Sequence, residues 1–373
     1  MKNSIYLDYN ATAPIRPEVI ELMGSVMTDG GNPSSVHGSG RRALSVMEKA
    51  RSQIGLTVNS KPQEVIFTSG GTESNNLALK AFADRPLMVS QAEHDSVLAT
   101  ALTQDVLYFP ILENGIVDIE AFSKQLGECA KPPLVSLMLG NNETGVIQPI
   151  KEIADLVHDM GGLIHTDAIQ ALGKIPVDFR SLGVDMMSLS AHKIGGPQGM
   201  GALILREGLA MQSVQKGGGQ EKGRRGGTEN VAGIAGFGLS ASLAGANLDT
   251  YKEIEILRDE MESFILAASP GSLVYGKGVQ RLPNTSCLSM PGVGSELQVM
   301  NFDLADIAVS AGSACSSGKV KASHVLTAMG ASGTQASEAI RISLGWLTTK
   351  AELDKFIQTW EQLYKRKSPK FAA

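Results

Sequence analysis

Apolar positions along this chain alternate between two spacings. Val19, Leu22, Met23, Val26 and Met27 recur at steps of three and four, the spacing of one face of a helix. Val65-Ile66-Phe67 and the later run over 134–139 are short, continuous and apolar, as buried strands are. Further strands are predicted at 87–90, 162–166, 186–190 and 202–205, each followed by small and polar residues. Helical stripes interleaved with short strands predict an α/β fold around a mostly parallel sheet.

The pattern changes in the second half. A Gly-rich stretch over 217–227, which also holds Lys222, Arg224 and Arg225, reads as a loop and an interface segment. From about Tyr251 a helix is predicted, then short strands near 284–290, then a last helix with Leu353, Phe356, Ile357, Trp360 and Tyr364 on one face. The expected organisation is a large domain over 15–250 and a smaller α+β domain made of 1–14 and 251–373. A chain of 373 residues is long enough to bury a deep site between two such parts.

Composition narrows the function classes. A net charge of -5 with Lys and Arg scattered along the chain gives no footprint for a phosphate backbone, so no nucleic-acid partner is expected. No stretch approaches the roughly 18 apolar residues of a membrane span, which places the protein in the cytoplasm with no membrane partner. Three cysteines far apart, Cys129, Cys287 and Cys315, fit neither a disulfide framework nor a paired-cysteine zinc site. Whichever of them matters acts as a thiol.

In open α/β sheets ligands bind beyond the carboxyl ends of the strands, so the residues after each run carry the chemistry. Gly70-Gly71-Thr72 follows the first strand and precedes a helix beginning near Ser74; free N–H groups and a hydroxyl there suit a phosphate, although a Gly-Gly turn is also plain punctuation. Asp167 ends a buried run, where it either caps a helix or pairs with a protonated ring nitrogen. Lys193, in Ser190-Ala191-His192-Lys193, is either a solvated surface group or a desolvated amine able to form a Schiff base with an aldehyde. His94 is either a satisfied core histidine or a flat surface on which a ring stacks. Taken together, a phosphate cradle, an acid, an amine and a stacking plate are the parts a pyridoxal phosphate site requires.

Over nearly the whole length the order of motifs resembles the cysteine desulfurases of the class V aminotransferase group, within the fold-type I pyridoxal phosphate enzymes. The resemblance is carried by residues 6–14, by Asn32-Pro33-Ser34-Ser35-Val36-His37-Gly38, by 70–76 and by Asn141-Asn142-Glu143-Thr144-Gly145. It continues through Asp167-Ala168-Ile169-Gln170, 190–193, Arg225-Gly226-Gly227-Thr228 and Ser310-Ala311-Gly312-Ser313-Ala314-Cys315. The resemblance implies a mixed, mostly parallel sheet in the large domain and a smaller α+β domain. It also implies that Lys193 forms the Schiff base, Asp167 pairs with the pyridine nitrogen, Gln170 meets the phenolic oxygen and His94 stacks on the ring. Gly71, Thr72, Ser190 and His192 would hold the phosphate, with Thr228 arriving from the second subunit of a homodimer. Asn142 would lie beside ring and substrate, and Arg341 would grip the substrate carboxylate with its fork.

Cys315 separates this reading from other pyridoxal phosphate enzymes. It sits in a small-residue loop flanked by Lys319 and Lys321, a setting that raises thiolate content, whereas Cys129 and Cys287 read as buried and inert. The family's persulfide-forming cysteine falls on Cys315, and the span from there to Arg341 resembles the longer-loop branch that supplies iron–sulfur assembly. The implied reaction converts L-cysteine to L-alanine and passes the sulfur to an acceptor or iron–sulfur scaffold protein. No metal is implied in the enzyme itself beyond a transient iron–sulfur contact at Cys315. Lys319-Val320-Lys321-Ala322 and Trp346 depart from the family pattern. Selenocysteine lyase and a non-catalytic assembly adaptor are the competing readings; the presence of Lys193, Asp167, His94 and Cys315 together disfavours the adaptor.

Overall fold

The structure, a computed structural model, describes residues 4–103, 105–312 and 322–367. The chain opens on a short strand, β1 (Ile5–Tyr6), and then forms helices over Pro17–Asp29 and Gly38–Thr57 before entering its main sheet. Seven strands make that sheet: β2 (Val65–Thr68), β3 (Leu87–Ser90), β4 (Val106–Phe109), β5 (Leu134–Ser136), β6 (Leu163–Asp167), β7 (Met186–Ser190) and β8 (Gly201–Leu205). Their order is β2-β8-β7-β6-β5-β3-β4. β8 runs antiparallel to both its neighbours and the other pairings are parallel, so the sheet is mixed and mostly parallel.

Alternate residues of these strands enter two apolar layers. Val65, Phe67, Met88, Met187 and Leu189 face one, while Ile66, Leu87, Val89 and Met186 face the other. A strand covered on both faces must be apolar throughout, which is why these runs were legible. β4 was not predicted: Val106, Leu107 and Tyr108 at the sheet's edge are only partly covered, and so its signal is weak. The predicted run over 134–139 yields a strand of three residues. Beyond it, Leu137 and Leu139 still donate to the carbonyls of His165 and Asp167, so the extended chain carries on past the regular ladder.

A 16-residue helix, Val231–Ala246, is apolar on every side because other helices enclose it. A Cβ at Gly238 would lie 2.5 Å from the Cα of Ala50, and one at Gly236 would lie 2.8 Å from the sulfur of Met23. Glycine there permits a backbone approach that no side chain would allow.

A second core gathers Ile5 and Leu7 with residues from Tyr251 to Tyr364. It covers a four-stranded antiparallel sheet of order β12-β13-β10-β9, built from β9 (Leu273–Val274), β10 (Thr285–Ser289), β12 (Ser310–Ala311) and β13 (Ala339–Ser343); β11 (Ile307–Ala308) pairs with β1. The long helix Leu248–Ala268 and the last helix Lys350–Lys367 pack on this sheet. On the last helix Phe356 stacks on Phe302 at 4.7 Å, and the buried Trp360 satisfies its one donor on Ser269 Oγ at 3.0 Å. Among the described residues no single helix is long and apolar enough to cross a membrane.

Candidate active site

The carboxyl ends of β2, β6 and β7 open onto one cavity of about 380 Å³, closed from the far side by the N-terminal segment and by β12 and β13. Its wall includes Gly71, Thr72, His94, Asn142, Asp167, Gln170, Ser190, His192, Lys193 and Arg341. Ten of the predicted site residues, spread over 270 positions of sequence, thus meet in one space. Thr228 does not: it is exposed and lines a smaller neighbouring hollow with Ser69 and Arg225. Cys315 lies outside the described residues, although Gly312 before it and His324 after it both stand on the cavity wall.

The helix Gly71–Lys80 begins three residues before its predicted start. Gly70 ends the strand in an extended turn at φ 151°, which only glycine adopts readily. A Cβ on Gly71 would lie 2.1 Å from Ile169 Cδ1, so the helix N-terminus reaches the cavity because it lacks a side chain there. Arg225 grips Glu73 in the first turn with two hydrogen bonds, at 2.8 and 3.1 Å, and so fastens the Gly-rich loop beside this turn.

Asp167 is buried at the end of β6, where a turn rather than a helix follows it. Oδ1 accepts from the Ile169 N–H at 2.9 Å, while Oδ2 accepts from Asn75 Nδ2 at 2.8 Å. Burial nevertheless pushes its pKa up, the hydrogen bonds and the nearby His94 and Lys193 opposing. A cationic ring nitrogen would relieve that cost. Asn75 also donates to Ser96 Oγ, which in turn bonds His94 Nδ1 at 2.8 Å. His94 is exposed at the cavity, which excludes its core reading.

Lys193 points inward. Its Nζ donates to the main-chain carbonyls of Asn10 at 2.5 Å and Ala11 at 2.8 Å. Burial pushes its pKa down to about 8, Arg341 acting in the same direction and Asp8 and Asp167 against it. His192 is pushed down to about 4 by burial and by Lys193, so it presents a neutral ring. Across the cavity Arg341 pairs with Asp8 at 2.8 Å and donates to the carbonyl of Asn142 at 3.1 Å.

Several functional neighbours escaped the sequence reading. Asn10, 1% exposed, gives its carbonyl to Lys193 and to Gln170 Nε2, and its side chain to Lys174, Asn284, Thr285 and Asn142. It lay inside a recognised motif with no distinguishing chemistry. Glu143 is buried against Ser323 Oγ at 2.6 Å, and burial pushes its pKa up; Glu93 is likewise pushed well up by burial and then by Asp167. Cys287 is enclosed and its thiol is pushed up by burial, while Cys129 packs partly covered against the core. Among the described residues no group of His, Cys, Asp or Glu is placed to hold a metal ion.

Comparison with known proteins is decisive on the family. The Aminotransferase class-V family model matches residues 5–356. The chain belongs to this family, in its cysteine desulfurase branch. A cysteine desulfurase of Cereibacter sphaeroides is 42% identical over 95% of this chain and 94% of its own. The cysteine desulfurase IscS of Dictyoglomus turgidum is 41% identical, covering 98% and 96%. A NifS-like protein from Rickettsia africae superposes with a TM-score of 0.92 at 37% identity, over 97% of this chain and all of that one. The mixed sheet with its smaller antiparallel partner is the fold-type I architecture of these relatives.

Three buried polar atoms at the cavity have no partner among the described residues: Ser190 Oγ, Asn142 Oδ1 and Arg341 Nε. Unpaired buried polar atoms are costly, and a polar ligand would satisfy them. With the open helix N-terminus and the raised Asp167, they fit a phosphate-bearing pyridine.

Proposed function

We propose that this chain is a pyridoxal phosphate-dependent cysteine desulfurase that turns L-cysteine into L-alanine and holds the sulfur as a persulfide on Cys315. The observation that carries the reading is the inward amine of Lys193, with its pKa drawn down to about 8, in one cavity with the Asp167 carboxylate. When bound, the cofactor supplies an aldehyde that captures amines and a ring that absorbs the electron pair released at the substrate Cα.

The chain's own residues do the rest. The main-chain N–H groups at Gly71 and Thr72, with Ser190 Oγ and His192, would hold the phosphate; Asp167 would keep a proton on the ring nitrogen, and exposed His94 would cover the ring face. Arg341, whose Nε is unpaired, would bind the substrate carboxylate beside Asn142. Lys193 Nζ, displaced by the incoming substrate amine, would remove the Cα proton. Cys315 Sγ, as thiolate, would attack the substrate sulfur. The C–S bond breaks as the S–S bond forms, and the carbon framework leaves as alanine after protonation.

In this reading residues 15–250 form the cofactor-binding domain, and 1–14 with 251–373 form the domain that bears Cys315. Two chains would pair so that Thr228 of each completes the other's phosphate site, in the cytoplasm, and the persulfide would pass to a sulfur acceptor or iron–sulfur scaffold protein. The exposed position of Thr228, away from its own cavity, supports the pairing.

Mass spectrometry after exposure to cysteine tests the proposal: one added sulfur is expected on the peptide containing Cys315. Cys315→Ala is expected to keep the yellow cofactor and lose cysteine turnover, and Lys193→Ala to lose covalent cofactor capture. Undiminished sulfide release by Cys315→Ala would contradict the reading. A strong preference for selenocysteine over cysteine at matched concentrations would move it to a selenocysteine lyase.

A further inference from the structure

Behind the cavity wall lies an amine that the chemistry above leaves unused. Lys174, 2% exposed, donates from Nζ to Gln170 Oε1 at 2.7 Å and to Asn10 Oδ1 at 2.8 Å. The charges that act on it, Lys193 and Arg341, are both positive; burial and those two charges push its pKa well below the usual lysine value. A lysine held without a carboxylate this deep in a fold is costly, so its place requires a reason.

Its two partners supply one. A carboxamide has a donor end and an acceptor end of nearly the same shape, and a half-turn exchanges them. The Lys174 amine has hydrogens for both oxygens it faces, and as an ammonium it can only donate, so it favours this orientation of Gln170 and Asn10 alike. With Oε1 taken by Lys174, the Nε2 end of Gln170 gives one hydrogen to the Asn10 carbonyl at 3.0 Å. A second Nε2 hydrogen remains, on a residue that lines the cavity beside Asp167. Asn284 Nδ2, donating to Asn10 Oδ1 at 3.1 Å, and Thr285 Oγ1, accepting from Asn10 Nδ2 at 2.9 Å, hold the other side of the frame.

We infer that Lys174 is a positioning residue that locks Gln170 with its N–H end toward the cavity, so that this wall offers a donor and selects a cofactor carrying an anionic oxygen at that point. The inference rests on the pyridoxal phosphate reading, whose ring oxygen would receive that donor. A half-turn of Gln170 would instead set a carbonyl oxygen against an anion.

The test is the pH midpoint of the visible absorbance of protein loaded with pyridoxal phosphate, alongside cofactor affinity measured by titrating the stripped protein. A donor on the ring oxygen favours the form that has lost its proton, so losing it raises the midpoint. Lys174→Met and Gln170→Leu are each expected to raise it by about one pH unit and to weaken cofactor affinity roughly tenfold. The double variant is expected to match Gln170→Leu alone, because one residue acts through the other. Lys174→Gln, which keeps a polar group, is expected to fall between wild type and Lys174→Met. An unchanged midpoint in Lys174→Met, or additive shifts in the double variant, would overturn the inference. So would failure of both Lys174 variants to fold, which would make the lysine purely structural. Wild-type protein that takes up no cofactor would instead defeat the underlying reading.

Discussion

Lys193 is the residue whose titration reports most directly on the site. In cofactor-free protein, capture of pyridoxal phosphate by reductive trapping at Lys193 is expected to rise with pH around a midpoint of about 8, where ordinary lysines respond near 10.4. A midpoint near the ordinary value would show an amine in free solvent. The same shift has a sign for stability. Between about 8 and the unfolded value the unfolded chain holds a proton that the folded one has lost, so stability rises with pH over that window. Below about 8 both states are protonated, and the full cost of burying the charge applies. Arg341→Lys keeps the charge but loses the fork and is expected to raise the KM for cysteine by about 10- to 100-fold with little change in kcat. Steady-state kinetics decide it; a fall in kcat at constant KM would assign Arg341 another role. At this scale much of the cavity wall was legible, since Asp167 and Ser190 are the last residues of β6 and β7 and Lys193 follows β7 in the same short motif. Asn10 and Lys174 were not, because each works through partners that only the folded chain brings near.

Three neighbouring strands share a polar rung in an otherwise apolar sheet. His165 in β6 bonds Ser136 of β5 at 3.0 Å through Nδ1 and Ser188 of β7 at 2.9 Å through Nε2. Burial pushes the ring down to about 3, so it is neutral in the folded protein over most of the pH range. The unfolded chain takes up a proton there near 6.5, so stability is lost as pH falls from that value toward about 3. His165→Gln is expected to cost about 1–3 kcal/mol at pH 7 yet to flatten this acid slope, measured by denaturant unfolding at pH 7, 5 and 4. An unchanged slope would place the acid sensitivity elsewhere. On β8, a Cβ at Gly201 would meet the backbone of Gly70 at 2.6 Å. Gly201→Ala is expected to cost about 1–3 kcal/mol and to loosen cofactor binding by displacing the turn before Gly71, read by thermal unfolding and cofactor titration. Covered strands announced themselves by uniform apolarity, whereas edge strand β4 and the five-residue β13 did not. Helix Val231–Ala246 gave no stripe because its small residues meet neighbours all round.

In the molecule as a whole, the N-terminal segment joins the two cores. β1 pairs with β11, the Asn10 N–H donates to Ser343 Oγ at 2.9 Å, and Asp8 holds Arg341. Trp346 has a place in this joint. Arg16 lies over its ring at 4.2 Å, Tyr9 meets it edge-on at 5.4 Å, and Arg16 and Trp346 pack behind the turn at Gly195 that follows Lys193. Asn10→Ala removes four side-chain contacts at once and is expected to lower stability by about 2–4 kcal/mol, measured by calorimetry. A negligible change would mean that the joint is carried by β1 alone. The division into two cores could be anticipated from the change of pattern near Tyr251, but not the joint, whose contacts span the length of the chain.

That joint ties the chemistry to the order of synthesis. Asn10 leaves the ribosome 275 residues before its partner Thr285. Ser343 and Arg341 come later still. A nascent or prematurely terminated polypeptide therefore carries Lys193 without the frame that aims it, and the reactive amine is armed only once Thr285, Arg341 and Ser343 have been made.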